Sequence, residues 1–403
     1  MTGKYRVLAL MTGAQAGAAI VQQAIGVLAP FLILQFGLNQ ARLGALFTSL
    51  YVGSALFTAF SGVLTDRFGE RTMVGVSGGV MATALIAAVL APDYSWLVAS
   101  MGLYGAGYAA STPAGGRAVL AWFDRDRGFA MGVRQTGVPV GGLIGAAVLP
   151  FAALHFGGYR AGLLVAAALV IASTAAAYIF YREAAHDRSP VSRFADVLDG
   201  MRRLARDPRL IATTMTCLAL VNAQLAMNAF LTVTAVQVIG VTPALAATAF
   251  ACAFAAATVA RLFWGWYSDR FMRENRVVLL AILCALSAAA SLVIALLHPA
   301  LAFLLIPAAL FIGFSGAGWN GVMAAALAEI GGADRAGSAL GLTLTVTFAG
   351  SAAGPLLFGT IADHTSLGTA WAVSAAISAL GILPVFWLRA HELRTPRLKA
   401  DAQ

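Results

Sequence analysis

Apolar runs recur along the whole chain, each long enough to cross a bilayer. They lie at 8–34, 43–64, 72–91, 95–122, 128–151, 159–181, 210–239, 243–267, 277–297, 300–328, 337–361 and 369–388. A helical span needs about 20 mostly apolar residues. The pattern therefore predicts twelve transmembrane helices, an all-α polytopic membrane protein. Composition agrees: 60% of residues are hydrophobic and 11% charged, whereas a soluble domain carries about a quarter charged residues. The breaks hold turn chemistry, at Asn39-Gln40, Pro92-Asp93, Gly157-Gly158, Thr242-Pro243 and His298-Pro299.

A charged turn, Gly62-Val63-Leu64-Thr65-Asp66-Arg67-Phe68-Gly69-Glu70-Arg71, separates the second and third runs. It returns as Gly265-Trp266-Tyr267-Ser268-Asp269-Arg270-Phe271, followed by Arg273 and Arg276. Aligning the two Asp-Arg-Phe triplets lays the second half of the chain on the first, the mark of an internal repeat. Two six-helix units are expected, 1–182 and 210–390, with a linker at 183–209 and a tail at 391–403. Asp66 stands where a carboxylate can accept from exposed N–H groups at a helix end and pair with Arg71. The plainer alternative is a short loop anchored at the lipid headgroups.

The turn resembles the signature loop G-x-L-x-D-R-x-G-x-R of the major facilitator superfamily, between helices 2 and 3. The first copy matches at every defined position, while the second has Met272 in place of the glycine. The resemblance implies two six-helix halves around a central cavity lined by helices 1, 4, 7 and 10. It also implies transport by alternating access, with Asp66, Arg67 and Arg71, and Asp269 with Arg270, as gating groups on the cytoplasmic side.

Basic residues set the orientation. Lys4, Arg6, Arg67, Arg71, Arg125, Arg127, the linker, Arg270, Arg273, Arg276, Arg335 and the tail fall on one side, against Arg42 and Arg160 on the other. Both termini are thus expected in the cytoplasm, in an inner membrane. That placement accounts for the net charge of +9 without nucleic acid. In the linker, Phe194, Val197, Leu198, Met201 and Leu204 recur at helical spacing, reading as an amphipathic helix on the membrane surface. Cys217, Cys252 and Cys284 lie in separate apolar runs and read as small core residues. The run after Lys4 and Arg6 is too long for a cleavable signal. No metal cluster, cofactor motif or nucleophile–base pair is seen, so an enzyme is not expected. The expected partners are membrane lipids and a small anionic substrate, around a monomer.

Arg117, Arg134 and Arg261 lie inside apolar runs, and all acidic residues fall in loops, at helix ends or in the tails. Intramembrane charge is costly and kept mainly where it works or is neutralised. Guanidinium without an internal carboxylate suits an external one, which it grips bidentately. Arg261 resembles, by its place in helix 8, the substrate-carboxylate ligand of oxalate–formate exchangers and monocarboxylate porters. The exchangers' helix-11 Lys has no counterpart here, and Ala257 stands where the porters carry Asp. Superposing Pro139 on Pro355 aligns Arg134 with Gly350, so Arg134 is expected as a second anion ligand. Each arginine, Arg117 above all, could instead snorkel to the surface.

Helix 11 carries Gly341, Gly350, Gly354-Pro355 and Gly359, resembling the superfamily's helix-5 antiporter motif. Helix 5 keeps Gly137, Pro139, Gly141 and Gly142. Helix 4, Met101-Gly102-Leu103-Tyr104-Gly105-Ala106-Gly107, resembles the R-x-x-x-G-x-G stretch with Met101 replacing Arg. Glycines at these spacings also serve simple close packing. Gln15, Gln22, Tyr104, Tyr108, Gln224, Asn228, Trp319 and Asn320 are candidate cavity residues, with interhelical hydrogen bonding as the alternative. Thr48 and Thr58, which share a face of helix 2 with Tyr51, rank below them, and Gly316 and Gly318 suggest a hinge. These features together predict a secondary transporter for a small organic anion, a mono- or dicarboxylate. The alternative is a drug or metabolite efflux transporter with a mostly apolar cavity, disfavoured by the missing membrane carboxylate.

Overall fold

The computed structural model describes residues 3–123, 127–183 and 206–400, and its regular structure there is entirely helical. The linker helix expected at 194–204 lies outside the described residues. Helix α1 comprises Gly3–Ala24 and Ala29–Phe36, joined by the 3-10 turn Ile25–Leu28 and bent by 42°. Then come α2 (Gln40–Phe68), α3 (Glu70–Val89), α4 (Tyr94–Leu120), α5 (Arg127–Phe156) and α6 (Gly158–Phe180). The second set is α7 (Pro208–Gln237), α8 (Pro243–Phe271), α9 (Arg276–Ala295), α10 (Pro299–Gly331), α11 (Leu342–His364) and α12 (Leu367–Glu392). Among the described residues nine helices are apolar and long enough to cross a membrane, ten with the bent α1. The other two, α2 and α4, have the length, at 29 and 27 residues.

Helix ends fall where the turn residues lie. Asn39, Asp93 and Thr242 accept from the Arg42, Trp96 and Leu245 amides, capping α2, α4 and α8. Pro243 and Pro299 begin helices, where a missing N–H costs nothing. Inside α10 the helix stops at Gly316 and resumes at Asn320, the break that Gly316 and Gly318 suggest. A Cβ on Gly318 would lie 2.7 Å from Ala260 Cβ, so only glycine lets α8 approach there. The connection from α10 to α11 departs from expectation: helical backbone continues from Asn320 to His364, 45 residues. A straight helix of that length would run about 67 Å, twice a bilayer core. Trp319 bonds Gln224 midway along α7, Glu329 bonds Arg276, and Thr343 bonds Thr214 near the start of α7. The chain therefore descends and returns, reversing between Glu329 and Thr343.

Glycines seat the helices on one another. A Cβ on Gly105 would strike the Leu50 carbonyl and one on Gly53 the Gly102 carbonyl, joining α2 to α4. Gly137 and Gly141 do the same for α5 against the Thr12 and Ala16 carbonyls of α1. The glycine patterns of helices 4 and 5 are thus used in packing.

The first six helices meet the last six mostly at the end away from Gly3, here called the far end. Thr232 bonds the Gly26 carbonyl, Asn228 bonds Gln23, and Thr48 bonds the Ala352 carbonyl. Gln40 and Ala41 bond Asp363, and Gln40 bonds Gln237. Deeper in, α5 packs on α8, where Gly142 faces the Phe254 ring. The far end is closed.

Candidate functional site

Arg134 projects from α5 into the contact of α1 with α4, and is only 1% exposed. Gly115 makes the room, since a Cβ there would lie 2.8 Å from Arg134 Nη2. That nitrogen donates to Gln15 Oε1 at 2.6 Å and to the Thr112 and Ser111 carbonyls at 3.2 and 3.3 Å. Arg134 Nε has no partner among the described residues. Pro113, inside α4, supplies no N–H to the Ala109 carbonyl, which accepts from Ser61 Oγ instead. Gln15 turns its other end to the Tyr108 hydroxyl, 3.4 Å away.

Arg261 reaches across from α8. Its Nη1 donates to the Gln135 carbonyl at 3.2 Å and its Nε to the Ala317 carbonyl at 3.3 Å. Both acceptors follow from local sequence. Pro139 cannot donate to Gln135, one turn earlier, so that carbonyl is left free on α5. Ala317 sits in the break of α10. Arg261 thus pins α8 to α5 and α10 through neutral oxygens, at the residue adjoining Arg134. Tyr108, whose hydroxyl accepts from Gln15 Nε2, shares that glutamine with Arg134. Among the described residues no carboxylate comes within ion-pair distance of Arg134 or Arg261.

A chain of amides runs on towards the far end. Gln23 Nε2 donates to Gln22 Oε1 at 3.0 Å, and Asn228 Nδ2 donates to Gln23 Oε1 at 2.8 Å. Gln23 was not among the residues singled out from sequence. It follows Gln22 directly and so points off the face shared by Gln15 and Gln22, towards α7. Trp319 Nε1 donates to Gln224 Oε1 at 3.1 Å, and Asn320 Nδ2 has no partner among the described residues. Tyr104 is fully buried, its hydroxyl donating to the Ala18 carbonyl at 2.7 Å, and so ties α4 to α1.

Arg117 stands apart, and its reading as an unpaired charge is corrected. Its Nε lies 3.4 Å from Glu70 Oε1, in the first turn of α3, and its side chain is 46% exposed. A carboxylate at the start of one helix reaches an arginine at the end of another, which loop-by-loop placement hides. Burial, with Glu70 and Glu183 nearby, holds the Tyr181 phenol beside them above its ordinary range, so it stays neutral.

In the charged turn, the side chain of Asp66 lies outside the described residues. Arg67 is exposed over the Phe68 ring. Arg71 Nε donates to the Tyr178 carbonyl at 2.7 Å, its guanidinium lies over the Tyr178 ring, and its amide donates to Glu183. In the second copy, buried Arg276 gathers Asp269 at 2.9 Å, Glu329 at 2.8 Å and Ser268 at 2.7 Å, while Arg270 is exposed.

Ten apolar spans and two further helices of spanning length among the described residues, a repeated charged turn and a polar axial cluster between the two sets define a polytopic transport protein. The chain belongs to the Major Facilitator Superfamily, whose family description matches residues 11–355. An uncharacterized MFS-type transporter of Mycobacterium tuberculosis is 28% identical over 80% of this chain and 72% of its own length. The hexuronate transporter of Bacillus subtilis is 28% identical over 34% of this chain and 32% of its own. The nucleoside transporter NupG shares the fold, with a TM-score of 0.76 at 14% identity over 96% of this chain and 98% of that one. The protein is accordingly a membrane transporter and not an enzyme.

Proposed function

We propose that this transporter moves a small organic anion, a carboxylate, by alternating access, with Arg134 and Arg261 as its anion ligands. One observation carries the reading: two guanidinium groups from neighbouring helices of the two halves, one of them bonded to the carbonyl of the residue next to the other, are held only by neutral oxygens. Two such charges set about 8 Å apart would, at an effective dielectric near 20, repel by roughly 2 kcal/mol. A carboxylate between them reverses the sign of that term and draws α5 and α8 together. Arg134 Nε is a free donor for it, and Gln15, Gln22, Tyr108, Gln224, Asn228, Trp319 and Asn320 form the polar wall. The hexuronate carried by the Bacillus relative is itself a carboxylate, which supports the class. Arg117 is assigned to its ion pair rather than to the site.

By the distribution of Lys and Arg, the end bearing Gly3 faces the cytoplasm. The closed far end then excludes the outward-open state for this inner-membrane protein, which acts as a monomer. The test is uptake into proteoliposomes by a panel of carboxylates, with and without a pH gradient. Arg261→Ala should abolish uptake while the protein still inserts, and Arg261→Lys should recover little, because a fork becomes a point charge. Near-normal uptake by the Ala variant across the panel refutes the reading.

A further inference from the structure

The far end carries a contact that the anion site does not require. Asp363, at the end of α11, reaches over the start of α2 in the opposite half. Its Oδ1 accepts from the Gln40 amide and its Oδ2 from the Ala41 amide, both at 2.8 Å. These are first-turn N–H groups, which a helix cannot satisfy within itself and which carry its positive dipole end. The local cap, Asn39, takes a different amide, that of Arg42, at 2.9 Å. The first turn of α2 therefore divides its donors: one is satisfied by its own chain segment, two by a carboxylate 323 and 322 residues away. Beside them Gln40 Nε2 donates to Gln237 Oε1 at 3.0 Å. Underneath, Cβ atoms on Gly44 and Gly359 would strike the Pro355 and Gln40 carbonyls, so the two helices touch backbone to backbone. Arg42, the nearest cation on α2, lies over the Tyr94 ring.

We infer that Asp363 is a latch holding the far side shut, a carboxylate cap lent by one half of the transporter to a helix of the other. Opening the far side must part α2 from α11, which breaks both charge-assisted bonds together. Asp363 is exposed, so water replaces much of what is lost, and the latch biases the two states rather than locking one. It acts at the end opposite the turn bearing Asp66, and it is independent of what the protein carries.

The test reads conformation, not uptake. Thr232, 1% exposed and bonded across the far-end seam to Gly26, is replaced by Cys in a Cys252→Ala background. Its labelling by a membrane-impermeant maleimide is timed from the far side alone, in sealed, uniformly oriented vesicles without substrate. Asp363→Asn should speed labelling about fivefold to tenfold. Asn39→Ala, which removes only the local cap, should leave the rate unchanged. Gln237→Ala should give a smaller rise in the same direction, and it carries the test if the Asp363 variant fails to fold. Labelling at the wild-type rate in Asp363→Asn, or an equal rise in Asn39→Ala, overturns the latch. The second outcome would mean that fraying of α2, not release of α11, exposes the seam.

Discussion

Three arginines that look alike in sequence have three different surroundings, and substitution should separate them. Arg134→Gly places the sister half's residue, Gly350, in α5. It leaves Gln15 Oε1 without its 2.6 Å donor but relieves a buried charge, so the two effects oppose and the fold should persist. What should vanish is the rise in melting temperature that a bound carboxylate gives the wild type. A Gly variant that is stabilised as much as wild type makes Arg134 a structural plug. Arg117→Gln should leave carboxylate affinity within about twofold and cost no more than roughly 1 kcal/mol, the scale of a half-exposed ion pair. A tenfold loss of affinity, measured in the same thermal-shift titration, would return Arg117 to the site. The charges themselves were legible, because an arginine in an apolar run stands out. Their partners were not. Arg261 bonds carbonyls that a proline and a helix break set free, and Arg117 bonds a glutamate counted with the neighbouring loop.

Among the helices, glycine decides which neighbours can touch, and position along the helix decides what a larger side chain would disturb. Gly105→Val should destabilise the fold, since its Cβ meets the Leu50 backbone within one half, where neither helix can yield. Overpacking of this kind costs about 1–3 kcal/mol, read as a lower melting temperature in detergent. Gly44→Val meets the Pro355 carbonyl across the two halves, where the helices part during transport. It should leave the melting temperature nearer to wild type and speed labelling of the Thr232→Cys reporter. Equal thermal losses in both variants would contradict that division. The helix ends were legible because Asn39, Asp93 and Thr242 are caps, and the break in α10 because Gly316 precedes it and Gly318 lies within it. The reversal between α10 and α11 was expected as a loop, and it is helical instead. Residues 329–341 hold no proline and so nothing that forbids helical backbone.

At the scale of the whole molecule, alternating access requires that the two ends not stand open at once, and each end has a carboxylate suited to bias that choice. Helix α2 carries both sites: its first turn receives Asp363, and Asp66 stands near its other end. Twenty-nine residues separate those ends, about 43 Å of helix, too far for direct interaction through screened water. The two biases should therefore add in free energy while acting in opposite directions. Asp363→Asn weakens far-side closure. Asp66→Asn weakens the near-side closure that the superfamily turn implies, so it should slow labelling of the Thr232→Cys reporter about fivefold. It should also slow turnover while leaving equilibrium carboxylate binding intact, because Asp66 is assigned no ligand contact. A fivefold shift corresponds to about 1 kcal/mol, small against the stability of the fold. The double variant should then label within about twofold of wild type, its two shifts cancelling. Labelling of the double variant that matches either single change would show that one end alone sets the resting state.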